Sequence, residues 1–195
     1  MTDSKPTYLR SPEVVSRANC RLLIVDVQAK LVPLIPVAEA LIANNRKLIA
    51  GAKALGIPTF ATEQYPRGLG GTVPELAEHF ETIPEKLRFS CAEVLDWGPA
   101  AGEPNDRDQV IVAGIEAPVC VLQTVLDLLA LGYRVFVPAD AVASRKKLDW
   151  KIALERMANH GATLTTTEPV LFECCEVAGT PEFKEISRLI KGEDV

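Results

Sequence analysis

The sequence is short of the residues that hold metals and staple small folds. Its two histidines, His79 and His160, lie far apart, and its five cysteines, Cys20, Cys91, Cys120, Cys174 and Cys175, contain no C-x-x-C pair. An odd number without paired spacing argues against a disulfide framework and against a cysteine zinc site. No metal and no cofactor is therefore predicted. Charge is also thinly spread. The 21 basic and 26 acidic residues leave a net charge of −5 with no long block of one sign. The clustered basic face of a nucleic-acid binder is missing. No apolar run approaches the ~18 residues of a membrane span. The opening stretch "MTDSKPTYLRSPEVVSRANC" has no apolar h-region of a secretory signal. Together these absences predict a cytoplasmic protein with neither a nucleic-acid nor a membrane partner.

What is present is a globular composition: 195 residues, 48% of them hydrophobic, enough for one domain with a sizeable core. Residues 1–19 carry Pro6 and Pro12 and read as an irregular arm; 20–195 read as the domain. "RLLIVDV" and "QVIVAGI" are continuous apolar runs, the pattern of parallel strands buried on both faces. "IPTFATEQ", a weak "PEKLRFS", "RVFVPAD" and "ATLTTTE" supply further strands. Amphipathic helices fall between them, over 37–56, 119–132 and 148–161, with one or two more in 169–191. Strand and helix alternate to the end. Right-handed crossovers then build an α/β domain of three layers, with a parallel sheet between helices.

In such sheets ligands bind beyond the carboxyl ends of the strands, near the point where strand order reverses. Reactive side chains at those ends are the candidates. Asp26 follows "LLIV", where a carboxylate is poorly solvated and needs a partner or a task; it also suits a turn or helix cap. Cys120 follows Pro118 at the predicted start of a helix. Free backbone N–H groups and the helix dipole there favour a thiolate and a developing oxyanion. Packing is the competing role for a cysteine at that position. Lys86, near the weak third strand, would stabilise a thiolate but taken alone reads more readily as a surface charge.

The segments "LLIVDVQAKL", "TEQYPRGLGGTVPEL", "EKLRFSCAEV", "GIEAPVCVLQTVLDLLALGYRVFVPADAVASR" and "GATLTTTEPVLFE" together resemble the isochorismatase-like hydrolases, or cysteine hydrolases. The resemblance runs collinearly over about residues 20–190. It implies a six-stranded parallel, Rossmann-like sheet and a catalytic triad of Asp26, Lys86 and Cys120. It also implies a cis peptide bond between Ile115 and Glu116, which makes the N–H groups of Glu116 and Cys120 an oxyanion hole. Gln28 and Gln64 are candidates to line the substrate pocket, as is Pro118, which stands where relatives usually have histidine. Asp140 and Arg145 read as fixing the loop after the fifth strand. Cys20, Cys91, Cys174 and Cys175 read as packing residues.

The metal-binding Asp-x-His-x-x-His pattern of nicotinamidases has no counterpart in "ATEQYPRGLGG". The resemblance thus implies a metal-independent hydrolase cleaving a C–N amide-type bond of a small molecule through a thioester. The alternatives are an oligomeric small-molecule binder or scaffold, a vinyl-ether hydrolase that does not need the thiol, and a thiol redox sensor. A homo-oligomer is implied as well, with the amphipathic tail "TPEFKEISRLIK" as a surface for it.

Overall fold

The computed structural model describes residues 8–102 and 107–192. Positions 1–7 of the predicted arm and 193–195 of the predicted domain lie outside the described residues. Strand β1 (Cys20–Val25) is buried along its whole length, as is β4 (Gln109–Ile115). Their side chains alternate between two cores. Leu22, Ile24, Ile111, Ala113 and Ile115 face one side; Leu23, Val25, Val110 and Val112 face the other. That two-sided burial is why the runs are continuously apolar.

The remaining strands are β2 (Thr59–Gln64), β3 (Glu85–Lys86), β5 (Arg134–Pro138), β6 (Val142–Ala143) and β7 (Thr163–Thr165). The main ladder runs β3-β2-β1-β4-β5-β7, and every ladder is parallel. Six strands were expected; the sheet has seven. The extra one, β6, pairs the end of β4 through Gly114↔Val142 and Ile115↔Ala143. Strand order reverses between β1 and β4, so their carboxyl ends form the crevice that open α/β sheets use for ligands.

Helix α1 (Ala38–Ala54) buries Leu41, Leu48, Ile49 and Ala52, a stripe at helical spacing. It packs on the first core with α7 (Thr167–Cys175) and α8 (Pro181–Lys191). Three single-turn helices lie in the connections: α2 (Pro66–Leu69), α3 (Pro74–Ala77) and α4 (Ala92–Leu95). The second core is covered by α5 (Leu122–Ala130) and α6 (Lys147–Asn159), through Val125, Leu128, Ala153, Leu154 and Met157.

Two expectations change. The apolar face of "TPEFKEISRLIK" is not a free oligomer surface, because Ile186 and Leu189 of α8 are buried in the first core. The described part of the arm, 8–19, is irregular but docked. Glu173 accepts the Val15 N–H at 2.9 Å, and Gln109 accepts the Ser16 N–H at 2.7 Å. No helix among the described residues is long and apolar enough to cross a membrane.

Candidate active site

Strand β1 ends at Val25, and the chain turns at once: Asp26 has φ +49°. The register places Thr62 of β2 and Gly114 of β4 on either side of Val25. Gly114 sits at φ +110°, and a Cβ there would come within 2.1 Å of the Val25 carbonyl oxygen. Only glycine permits β4 to run this close to β1 before turning toward Cys120.

The Asp26 side chain is fully buried. Its Oδ2 accepts from Lys86 Nζ at 2.7 Å and its Oδ1 from the Thr62 hydroxyl at 2.8 Å. Lys86 closes β3, and its ammonium also donates to Gln64 Oε1 at 2.8 Å and to the Phe89 carbonyl at 2.8 Å. An ammonium has three N–H donors. All three are directed at protein acceptors, so Lys86 holds Asp26 in place rather than reaching for a ligand.

Cys120, 6% exposed, lies close enough to Asp26 for that carboxylate's charge to act on its thiol, so the three residues singled out in the sequence form one cluster. It lies in a π-helical turn, Ala117–Val121, and α5 begins only at Leu122. In that turn the Glu116 carbonyl accepts from the N–H groups of Val119 and Val121. Burial raises the thiol's pKa far above its ordinary value, and the negative charge of Asp26 raises it further; Lys86 offsets only part.

The Ile115–Glu116 peptide bond is cis. The Glu116 carboxylate accepts from Arg145 Nε at 3.0 Å, from the Arg145 N–H at 3.1 Å and from the Ser144 hydroxyl at 3.3 Å, which anchors the segment between β6 and α6. Asp140 lies two residues beyond β5 and accepts from Thr167 N–H at 2.8 Å, at the start of α7. Both residues that were read as fixing this region do so through hydrogen bonds.

Gln28 is fully buried. Its amide donates to the Gln64 and Gly70 carbonyls at 3.0 and 2.6 Å, and its Oε1 accepts the Gln64 N–H at 2.7 Å. Gln64 in turn donates to the Leu87 carbonyl at 2.9 Å. The two glutamines thus clasp the end of β2, the glycine loop and the segment after β3 around Lys86. Pro118 is half-buried in the π-helical turn beside Cys120.

Three site residues were not read from the sequence: Thr62, Thr124 and Cys91. Cys91 was read as packing alone, but its Sγ lies 3.2 Å from Thr62 Oγ1. Its N–H donates to Thr124 Oγ1 at 2.9 Å, and the Thr124 hydroxyl donates to the Cys120 carbonyl at 2.7 Å. Burial, followed by the charge of Asp26, pushes the Cys91 thiol up to about 11. Thr62 had one local signal, a polar residue inside a strand two positions before Gln64. Cys91 had none, because its place depends on how the chain returns after β3.

Cavities flank this cluster. One of about 320 Å³ is lined by Tyr65, Arg67, Lys86 and Leu87. Another, of about 460 Å³, is largely apolar and lies between α1 and α6, lined by Val37, Leu41, Val142 and Trp150. A larger one, about 670 Å³, lies toward the start of β2 beside His79 and Phe80 and includes none of Asp26, Lys86 and Cys120. Its size does not make it the reactive site. Among the described residues no group of three or more His, Cys, Asp or Glu side chains is placed to hold a metal ion.

Comparison with known proteins agrees with this layout. A family model described as the isochorismatase domain matches residues 20–169. The zebrafish (Danio rerio) isochorismatase domain-containing protein 2 is 40% identical over 171 residues, covering 87% of this chain and 85% of the relative. The zebrafish domain-containing protein 1 is 36% identical over 178 residues, and the match spans 62% of that longer protein. A solved structure described as the MAR1 ribonuclease from Caenorhabditis elegans superposes with a TM-score of 0.82 at 38% identity, over 91% of this chain and 92% of that one. A buried Asp–Lys–Cys cluster at the switch point of a parallel sheet, in a sequence matched over these lengths, places the chain in the isochorismatase family of hydrolases.

Proposed function

We propose that the chain is a metal-independent cysteine hydrolase that cleaves a C–N amide-type bond of a small molecule through a thioester. The observation that carries this reading is a buried carboxylate, Asp26, locked by Lys86 and close enough to the Cys120 thiol for its charge to act on it. Asp26 takes the Cys120 proton as the sulfur attacks the carbonyl carbon, and the C–O π electrons move onto oxygen. The N–H groups of Glu116 and Cys120, at the head of the π-helical turn, stabilise that oxyanion. As the C–N bond breaks, Asp26 returns the proton to the departing amine. Water, deprotonated by Asp26, then cleaves the thioester, and the proton goes back to the thiolate.

Lys86 keeps Asp26 oriented throughout. In this reading Gln28 acts from behind Gln64, while Gln64 and Pro118 border the pocket. The homo-oligomer and the reducing, cytoplasmic setting belong to the same proposal; light scattering reads the first. All five cysteines are free, which fits the second.

Incubation with an amide library, followed by intact-mass measurement, tests the mechanism. An acyl adduct on Cys120 and loss of turnover in Cys120→Ala are expected. Turnover of amides that survives the substitution overturns it. Cleavage of RNA that survives it would extend the described ribonuclease activity of the C. elegans relative to this chain instead. Retained vinyl-ether cleavage would favour thiol-independent hydrolysis.

A further inference from the structure

We propose that Thr62 and Cys91 form a reversible hydrogen-bond rotor that carries the catalytic proton away from the nucleophile. The inference rests on the reading of Asp26 as the base for Cys120.

The rotor follows from counting donors. While Asp26 is ionised it can only accept. Its Oδ2 faces Lys86, which has no acceptor, and its Oδ1 faces the single proton of the Thr62 hydroxyl. With that proton committed, Thr62 Oγ1 accepts the S–H of Cys91 across 3.2 Å. The chain of donors in the resting state is Cys91 to Thr62 to Asp26. The raised Cys91 thiol stays protonated at neutral pH, so the proton it needs to donate is present.

Transfer from Cys120 reverses each link. On Oδ2 the new proton would cost the carboxylate its 2.7 Å ion pair with Lys86. It sits on Oδ1. There it either points back at the thiolate and quenches it, or turns toward Thr62 Oγ1. The second arrangement requires the Thr62 hydroxyl to turn its own proton off Asp26 and onto an acceptor. Cys91 Sγ is that acceptor, since the geometry of the 3.2 Å contact allows either atom to donate. No further charge moves: one proton passes from Cys120 Sγ to Asp26 Oδ1, and two hydrogen bonds change direction. The thiolate is left free to attack, and the proton waits one bond away for the leaving amine. Cys91 is pinned for this task by its N–H on Thr124, whose hydroxyl holds the carbonyl of Cys120 itself. Thr62 and Cys91 are positioning residues; neither touches the substrate.

The titratable groups facing Asp26 are Lys86 from β3, Cys120 from the π-helical turn and Cys91 at the head of α4. The test is the rate of iodoacetamide alkylation at Cys120 against pH, resolved by peptide mass spectrometry. Wild type shows a low-pH limb that Asp26→Asn removes. Thr62→Val takes a donor from the carboxylate and favours its protonated form, so the limb moves up by about one pH unit. Cys91→Ala takes the acceptor away from the turned hydroxyl and disfavours the protonated form, so the limb moves down. Both variants lose the parked state and react roughly tenfold more slowly on the plateau. Thr62→Ser and Cys91→Ser, which keep a group able to donate and accept, restore the wild-type profile. Limbs that stay with the wild type, or move in the same direction, overturn the rotor while leaving Asp26 as base. A limb unaffected by Asp26→Asn overturns the base assignment itself.

Discussion

Replacing Lys86 with methionine is the sharpest test of how the site is held together. The side chain keeps its unbranched shape as far as Cε and loses its charged end. In the wild type both partners are essentially inaccessible, with side-chain exposures of 1% for Lys86 and 0% for Asp26. Removing one partner of such a pair leaves an uncompensated buried charge, which costs about 3–5 kcal/mol. The acceptors on Gln64 and Phe89 are also left dry, at about 1–3 kcal/mol each if nothing relaxes. These losses share one network and do not add fully. A net loss of about 5 kcal/mol is expected, equivalent to roughly 10–20 °C in Tm for a domain of this size.

The loss depends on pH, and its sign is fixed. Without its cation, buried Asp26 favours the protonated form in the folded state more than in the unfolded chain. The variant therefore suffers its full penalty at alkaline pH and recovers as the pH falls and the carboxyl takes up a proton. Denaturant unfolding followed by tryptophan fluorescence, at pH 8 and pH 5, reads both quantities. The double variant Asp26→Asn/Lys86→Met, which buries no charge, should regain more than half of the loss at pH 8. A single variant that loses less than about 1 kcal/mol at pH 8, or the same amount at both pH values, would refute the buried-pair account.

Gly114→Ala places a methyl group against the Val25 backbone at a left-handed φ, so a loss on the order of 4 kcal/mol is expected by thermal unfolding. Gln28→Ala removes three hydrogen bonds from a fully buried side chain; about 3 kcal/mol is expected, with Lys86 less firmly seated and Cys120 alkylation altered although Gln28 does not touch it. Glu116→Gln breaks a pair whose arginine is 58% exposed, so global stability should fall by no more than about 1 kcal/mol. Hydrogen exchange should nevertheless rise locally at 144–147, where the carboxylate accepts the Arg145 N–H and the Ser144 hydroxyl.

Much of the frame was legible because it is written in local patterns. "RLLIV" and "QVIVAGI" are apolar at consecutive positions because both faces of β1 and β4 are covered. The helical stripe of α1 follows from period alone. Asp26 stood out because it breaks an apolar run at the end of a strand, and Cys120 because it sits at a helix start just after one, where a parallel sheet opens to ligands. Lys86 did not stand out that way; a lysine beside a two-residue strand carries almost no periodic signal, and only the family resemblance raised it above a surface charge.

The sequence by itself determined the layers and the succession of most strands along the chain, because these depend on hydrophobic period, and it marked Asp26 and Cys120 by their positions after two of those strands. Tertiary structure alone decided what those side chains do to one another. The β1–β2 register brings Thr62 to Asp26, and the return of the chain after β3 brings Cys91 to Thr62. Burial also set the electrostatics at Cys120. A helix start by itself favours a thiolate, but desolvation, followed by the charge of Asp26, raises the thiol's pKa and favours the protonated form. A residue's solvation depends on neighbours that are distant in sequence, and no local pattern encodes them.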